Sequence, residues 1–267
     1  MYEKLYEKLP DTEKYLRRIG LESAQFSADL EGLDTLVHAQ LTHIPFDDMD
    51  VWAEAKCPPL GISELYDKII LRRRGGYCFE LNSLFCAFLK ALGFDAYLVA
   101  AYVMAGREEM GPPSHCAVIC TIDGAKYFCD VGYGAAVPDG AVPLDGSERL
   151  GYRIGRSGEY FDLCRVQEEF TEIRFKDTVI DPVELIPLNF FISQNPESLF
   201  RRQLHMNLRY DDGRVALVNR CLKFRRGEEC FENILEIGEV PAALQEYFGI
   251  LPEEIMLRDF DAEGSVI

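Results

Sequence analysis

Histidine, tryptophan and basic residues are scarce in this 267-residue chain, which has four His, one Trp, and 28 Lys and Arg against 45 Asp and Glu. Four histidines do not favour a multi-histidine metal site, and we expect no bound metal. The formal net charge of −17 repels polyphosphates and anionic lipids, so we expect neither nucleic acid nor a membrane surface as a partner. The most apolar stretch, 81–105, is interrupted by polar residues, which argues against a transmembrane helix or a signal peptide.

Cysteine is more abundant, but no two of the nine cysteines have the C-x-x-C spacing. An odd number without that spacing favours neither a closed disulfide framework nor a zinc knuckle. We therefore expect reduced thiols, most of them in the core, and a cytoplasmic protein.

The distribution of apolar residues predicts an α+β fold. Residues 1–92 show helical spacing, with Ser27 or Asp29 beginning one helix and Gly93 ending the helix that starts at Cys78. From there to about residue 183 come short runs rich in Val, Ile, Tyr and Phe, typical of an antiparallel sheet or barrel. A linker, further strands and a helix at 240–248 follow, and no internal repeat is visible.

Cys78 is the strongest candidate nucleophile. It follows Gly75 and Gly76 and opens a helix, so its sulfur should lie where unpaired backbone N–H groups favour an anion. Such a position stabilises the thiolate, the form of cysteine that attacks carbonyl groups. An ordinary core cysteine is the alternative, but a Gly-Gly turn indicates a sharp bend or a close approach at this point.

His115 and Asp130 are predicted to face each other across a hairpin. Asp123-Gly124 is a strong two-residue turn signal, and it pairs Ile122 with the first residue after the turn. The register then makes His115 and Asp130 diagonal neighbours on one face, about 7–8 Å apart along the backbone. Because aspartate is disfavoured within strands, Asp130 is best explained as the group that orients the imidazole.

Gly132 lies opposite His115 in this register, and Gly134 follows it. The two glycines predict a trough without side chains, where a linear substituent such as a pantetheine arm could lie against the backbone. Glycines after a strand more often mark only a turn.

The segment 74–82, Arg-Gly-Gly-Tyr-Cys-Phe-Glu-Leu-Asn, with His115 and the run 130–134 downstream, resembles the arylamine N-acetyltransferase family. Residues 43–48 resemble that family's I-P-F-E-N segment, and residues 193–200 its S-x-x-P-x-S-x-F segment. The match covers roughly residues 15–220. The absence of a long insertion after the barrel makes the chain more similar to prokaryotic members.

The resemblance implies a helical bundle over 1–92 that carries Cys78, a β-barrel over 93–186 that carries His115 and Asp130, and a linker and α/β lid over 187–267. The core would be of the cysteine-protease-like Cys-His-Asp type. The implied activity is ping-pong transfer of acetyl from acetyl-CoA, through a Cys78 thioester, to an arylamine, arylhydrazine or N-hydroxyarylamine, as in xenobiotic metabolism. His115 would deprotonate Cys78, and Asp130 would fix the imidazole.

The resemblance also suggests binding residues, although any of the aromatic ones could equally be core. The candidates for the acceptor wall are Phe46, Tyr77, Val103 and Phe128. The candidates for the coenzyme A side are Ser114, Gly132, Tyr133 and Gly134. One departure is Asp47-Asp48 in place of the family's Glu-Asn; we expect Asp47 still to pair with Arg74.

Three other functions remain open. An amide synthase of the same family would use the same catalytic residues to release a polyketide as a macrolactam. A papain-like or transglutaminase-like hydrolase shares Cys, His and Asp in this order but passes the acyl group to water. A non-enzymatic binding module gives no reason for the three residues to occur together.

Overall fold

The helical layer at the start of the chain is built around one long buried helix. The computed structural model describes residues 2–22, 24, 26–105, 107, 109–168 and 170–257. The first five helices are α1 (Thr12–Arg18), α2 (Leu30–His43), α3 (Met49–Glu54), α4 (Ile62–Tyr66), which continues as a π-helical turn, and α5 (Cys78–Ala91).

Capping groups define the ends of these helices. The Asp29 side chain accepts a hydrogen bond from the Gly32 N–H at the start of α2, which identifies Asp29 rather than Ser27 as the cap. Gly93 has φ +93°, a left-handed conformation that suits glycine just after α5. Helix α5 is buried on nearly all sides, because its apolar side chains contact both the other helices and the strands of the barrel.

A seven-stranded antiparallel sheet curls into a nearly closed barrel, as the sequence predicts. The seven strands are β2 (Asp95–Val103), β3 (His115–Ile122), β4 (Ala125–Cys129), β5 (Val142–Pro143), β6 (Tyr152–Ser157), β7 (Tyr160–Arg165) and β8 (Phe170–Phe175). They run in the order β5-β4-β3-β2-β8-β7-β6, and the two edge strands, β5 and β6, approach each other.

Strand β3 is buried on both faces, which explains its continuous apolar run. Ala117 and Ile119 belong to the barrel interior. Cys116, Val118 and Cys120 belong to the cluster formed with the helical layer. Alternation along the strand therefore decides which layer each side chain joins.

A second antiparallel sheet, in the order β1-β9-β10-β11-β12, lies in the C-terminal part of the fold. Strand β1 (Phe46–Asp47) comes from the helical part of the chain and pairs with β9. The other strands are β9 (His205–Tyr210), β10 (Gly213–Val218), β11 (Cys221–Arg226) and β12 (Glu229–Ile234). A separate apolar cluster joins this sheet to α3 and to the helix that follows β12.

Part of the predicted linker is helical. Leu185–Gln194 forms α6 and Leu199–Arg202 forms α7, while Val240–Phe248 forms the expected last helix, α8. Pro187 is compatible with α6 because it is the third helical residue, whose N–H has no partner within the helix. The domain boundaries at residues 92 and 186 stay a prediction, and the last ten residues of the third predicted domain lie outside the described residues.

Candidate active site

Cys78 is the first residue of α5 and is 3% exposed. A Cβ atom at Gly75 would lie 2.1 Å from the Pro45 carbonyl oxygen, so only glycine allows the chain before the helix to approach the segment that leads into β1. The Gly76 carbonyl then accepts a hydrogen bond from the Asp47 N–H at 2.9 Å. The Gly-Gly pair therefore fixes the position from which Cys78 starts the helix.

His115 and Asp130 form a hydrogen bond of 2.6 Å between Nε2 and Oδ2, and both residues are 2% exposed. The hairpin register predicted from the turn is confirmed, because Ile122 pairs with Ala125. Asp123 and Gly124 have φ of 49° and 80°, the left-handed values of a two-residue hairpin turn. The short-range turn thus places the imidazole and the carboxylate on one face.

The imidazole of His115 lies between Asp130 and Cys78. Burial lowers the pKa of His115, but the Asp130 carboxylate and Cys78, which also hydrogen-bonds the ring, outweigh burial and raise the pKa from 6.5 to about 10. The ring is therefore an imidazolium at neutral pH, between a carboxylate on one side and the Cys78 sulfur on the other. This arrangement favours a thiolate–imidazolium pair, the activated form of a cysteine nucleophile.

Asn82, to which the sequence analysis gave no role, joins these groups. Its Nδ2 donates to Asp130 Oδ1 at 3.0 Å and to the Cys116 carbonyl at 2.8 Å, and its Oδ1 accepts from the Val131 N–H at 3.0 Å. It lies four residues after Cys78, so the two share one face of α5. The sequence signal that could have identified Asn82 is an asparagine four residues after Cys78 in an apolar helix, because a buried asparagine needs polar partners.

A buried ionic network lies behind Cys78. Lys68 Nζ is 2.7 Å from both Glu80 Oε1 and Asp50 Oδ2, and Glu80 Oε2 accepts a hydrogen bond from the Tyr77 N–H at the start of α5. Burial raises the pKa of Glu80 to about 7, although the Lys68 ammonium opposes the shift. The network therefore holds the first turn of the helix that carries Cys78.

Arg74 connects this network to the second sheet. Its Nε donates to Asp47 Oδ2 at 2.7 Å and its Nη2 to Asp50 Oδ1 at 3.1 Å, which confirms the expected pairing of Asp47. Burial alone would raise the pKa of Asp47, but the Arg74 and Lys68 charges outweigh it and hold the pKa below its usual range. The shorter Asp47 side chain thus still reaches the buried arginine.

Asp48 has a different environment from its neighbour. Its Oδ1 accepts a hydrogen bond from the His205 N–H at 2.8 Å, and its Oδ2 has no partner among the described residues. Burial raises the pKa of Asp48 well above its usual range. The raised pKa favours the neutral carboxyl, which has nearly the shape of the asparagine that the resemblance leads one to expect at this position.

The Cβ side of both Gly132 and Gly134 is filled, so the trough without side chains predicted there is occupied. A Cβ atom at Gly132 would lie 2.8 Å from Cys78 Cα, and one at Gly134 would lie 2.9 Å from the ring of Phe46. Gly132 therefore allows the segment after β4 to contact the start of α5, and Gly134 makes room for an aromatic ring. Their role in binding coenzyme A stays a prediction.

Tyr133 and Ser114 both lie close to the reacting groups. The Tyr133 ring meets the His115 ring edge to face, with centroids 5.5 Å apart, and its hydroxyl donates to Glu172 at 2.9 Å. The Ser114 carbonyl is 3.9 Å from Cys78 Sγ. The Gly132 N–H also donates to Asp130 Oδ1 at 2.9 Å, so three of the four candidates for the coenzyme A side contact catalytic candidates directly.

The aromatic candidates separate into two groups. Phe46 and Tyr77 each lie 5.8 Å, between ring centroids, from Phe200, a residue to which the sequence analysis gave no role. Phe128 is fully buried in the barrel interior against Phe175, and Val103 is half-buried at the end of β2. Only the first group forms one aromatic cluster, and Phe200 is the ring that joins it.

One further group on the second sheet was missed. Asn207, Arg209 and Arg214 line a cavity together with Phe46, Tyr133 and Gly134. Asn207 Nδ2 donates to the Gly134 carbonyl at 3.0 Å. The arginines belong to strands far away in the sequence. The pairing of β1 with β9 and the Asn207–Gly134 hydrogen bond bring that sheet to the site.

Within the described part of the chain, no group of three or more His, Cys, Asp and Glu residues has the geometry of a metal site. None of the described helices is both long enough and apolar enough to cross a membrane.

Comparison with known proteins gives consistent matches. A family model described as N-acetyltransferase matches residues 29–254. The arylamine N-acetyltransferase of Mycolicibacterium smegmatis is 29% identical over 261 residues, 93% of this chain and 94% of that protein. Arylamine N-acetyltransferase 2 of Mus musculus is 32% identical over 246 residues, 81% of this chain and 83% of that protein. The structure of Mycobacterium marinum arylamine N-acetyltransferase in complex with CoA is 28% identical, with a TM-score of 0.80 over 90% of this chain and 93% of that chain.

Proposed function

This chain belongs to the arylamine N-acetyltransferase family, and from that premise we propose that it moves an acetyl group from acetyl-CoA to an arylamine through a thioester on Cys78. The observation that carries the proposal is the buried hydrogen bond between His115 and Asp130, with Cys78 beside the same imidazole ring. Acetyl-CoA is the acyl donor, and arylhydrazines and N-hydroxyarylamines are further acceptors of the same class.

Cys78 performs the first half of the reaction. Its thiolate attacks the acetyl carbonyl carbon, a carbon–sulfur bond forms, and the bond from that carbon to the sulfur of coenzyme A breaks. His115 is charged at neutral pH and can give its proton to the departing thiolate. The N–H groups of Cys78 and Phe79 begin α5 and have no carbonyl one turn earlier to bond, so they are candidate donors to the oxyanion.

His115 then acts as a base in the second half. The amine nitrogen attacks the thioester carbonyl, and the neutral imidazole accepts the proton that the nitrogen loses. The Cys78 thiolate leaves, and the thiolate–imidazolium pair is restored. Asp130 stabilises the charged ring and holds Nε2 towards itself, which leaves Nδ1 for the proton transfers.

Binding residues are proposed on the same basis. Phe46 and Tyr77, joined by Phe200, suit the planar acceptor, because aromatic rings favour edge and offset contacts with each other. Val103 and Phe128 are weaker candidates, since Phe128 has no exposed surface. For coenzyme A, the candidates are Ser114, Gly132, Tyr133 and Gly134. Asn207 and Arg214 join them, because both line one cavity with Tyr133 and Gly134.

The alternatives gain no support. The comparisons return N-acetyltransferases and give no evidence for an amide synthase or a cysteine hydrolase. The charge of −17 supports the absence of nucleic-acid partners. All nine cysteines are free thiols, which supports a reducing, cytoplasmic location.

The experiment is a steady-state assay of acetyl-CoA turnover across a panel of aromatic amines and hydrazines. Wild type is compared with Cys78→Ala and with Cys230→Ala, which removes an exposed thiol far along the chain. We expect turnover that depends on the acceptor and is lost only in Cys78→Ala. Turnover of Cys78→Ala within tenfold of wild type would remove Cys78 from the mechanism.

A further inference from the structure

A cavity of about 670 Å³ lies on another face of α5 from Cys78. Its walls come from the first turns of the chain, from α5 and from the start of α6, and Cys78, His115 and Asp130 do not line it. Small-molecule sites usually measure about 300–1,000 Å³ and combine an apolar lining with a few polar groups. This cavity has that size and that composition.

The lining is aliphatic rather than aromatic. Leu5, Leu9, Leu60, Ile62, Leu98 and Leu185 supply most of it, and the single aromatic residue is Tyr6. The Tyr6 hydroxyl donates to Asp181, just before α6, so the N-terminal segment is fixed over the cavity by a polar contact. Branched aliphatic walls of this kind suit a flexible alkyl chain better than a planar ring.

One polar group in the floor has no partner. Ser83 lines the cavity and is 7% exposed, and its Oγ makes no hydrogen bond within the described residues. A buried hydroxyl without a partner costs free energy, and its O–H can rotate towards an acceptor. The Oγ has almost no accessible surface, however, so Ser83 adds no polar contact to the cavity.

The rim is positively charged in a strongly acidic protein. Lys8 and Lys90 are exposed at the rim, and within the described part of the chain neither has a carboxylate within 4.0 Å. Glu7 is the one acid among the lining residues. Two free ammonium groups beside an aliphatic cavity complement a carboxylate head.

We propose that this cavity is a second binding site, separate from the acetyl-transfer site, for a straight-chain aliphatic carboxylate. The alkyl chain lies among the leucines, and the carboxylate meets Lys8 and Lys90. The site does not depend on the acetyl-transfer mechanism, so either proposal can fail without the other.

The test is a titration of the full chain with dodecanoate below its aggregation concentration, followed by calorimetry. Dodecyltrimethylammonium, which has the same chain and the opposite charge, and benzoate, which has the same charge and a planar ring, are the comparison probes. We expect saturable binding of dodecanoate at one site per chain and at least tenfold weaker binding of the other two. No saturable dodecanoate binding, or equal binding of the cationic amphiphile, would overturn the proposal.

Two variants locate the site. Lys90→Glu should weaken dodecanoate binding about fivefold or more, whereas the control Arg153→Glu makes the same charge change at an exposed position on β6 and should leave it unchanged. Ala87→Phe should fill the cavity and abolish binding. Equal weakening by Lys90→Glu and Arg153→Glu, or undiminished binding by a folded Ala87→Phe, would contradict the location. If Ala87→Phe does not fold, the comparison of Lys90→Glu with Arg153→Glu decides where dodecanoate binds.

Discussion

Asp130 holds His115 with one carboxylate oxygen and is itself held by the other. Oδ2 accepts from the imidazole at 2.6 Å, while Oδ1 accepts from Asn82 at 3.0 Å and from the Gly132 N–H at 2.9 Å. The carboxylate is therefore held in place by α5 and by its own loop, in addition to its hydrogen bond with the imidazole. This relationship makes the positions of the Cys78 helix and the His115 hairpin depend on each other.

Asp130→Asn should lower acetyl transfer on the order of 10²–10⁴-fold, because the amide keeps the shape but no longer stabilises the charged ring. Asp123→Asn is the matched control, since it makes the same change at the turn of the same hairpin, where asparagine tolerates positive φ. The measurement is the rate of acetylarylamine formation. Equal rates for the two variants would exclude Asp130 from the reaction.

The same variant tests the charge of His115 through stability. A histidine whose pKa rises from 6.5 to about 10 on folding stabilises the fold fully below pH 6.5 and loses that contribution as the pH rises towards 10. Asp130→Asn removes the carboxylate that contributes most to raising the pKa of His115. The difference in unfolding free energy between wild type and variant should therefore shrink from pH 6.5 to 10. A constant difference over this range would contradict the raised pKa.

Asn82→Ala should reduce both stability and acetyl transfer. It leaves the Cys116 carbonyl and the Val131 N–H buried without partners, and each such group costs about 1–3 kcal/mol. Gln40→Ala is the control, because it removes a buried amide that, within the described part of the chain, makes a side-chain hydrogen bond with Tyr15 and none with Cys78, His115 or Asp130. Denaturant unfolding should show a loss in both variants, while the rate of acetylation by acetyl-CoA should fall only in Asn82→Ala. Equal rates would mean that Asn82 has only a structural role.

Asp47→Asn and Asp48→Asn should change stability in opposite directions. The pKa of Asp47 is lowered in the fold, so its charge stabilises the protein above pH 3.8. Losing that charge leaves the buried Arg74 paired with Asp50, at a cost of up to about 3–5 kcal/mol. Folding raises the pKa of Asp48, so the wild type loses stability as the pH rises above 3.8, and the asparagine variant does not.

Urea unfolding at pH 4 and pH 7 checks this pair. Asp47→Asn should be destabilised more at pH 7 than at pH 4, and Asp48→Asn should be stabilised more at pH 7 than at pH 4. A loss of stability in both variants at pH 7 would show that Asp48 is charged in the fold.

The parts of the site that the sequence predicts are those fixed by short-range structure. The Asp123-Gly124 turn determines the register that joins His115 to Asp130, and the Gly-Gly pair with the apolar run after it determines where Cys78 begins its helix. These features depend on a few neighbouring residues, so periodicity and turn chemistry are sufficient to find them.

The parts that were missed depend on contacts between distant segments. The ring of Phe46 fills the space at Gly134, Asn207 comes from β9, and Phe200 comes from α7. The linker predicted from residue 187 is partly helical, because Pro187 lies where a helix tolerates a proline. The predicted trough failed for the same reason, because two glycines do not reveal which side chain occupies the space they leave.

The central claim is that Cys78 carries the acetyl group between donor and acceptor, and intact-mass spectrometry of the protein mixed with acetyl-CoA alone tests it most directly. We expect one acetyl group per chain, mapped to the peptide that contains Cys78. On addition of an arylamine, that group should move to the amine much faster than water removes it. An unmodified protein, an acetyl group on another residue, or loss to water as fast as to the amine would contradict the account.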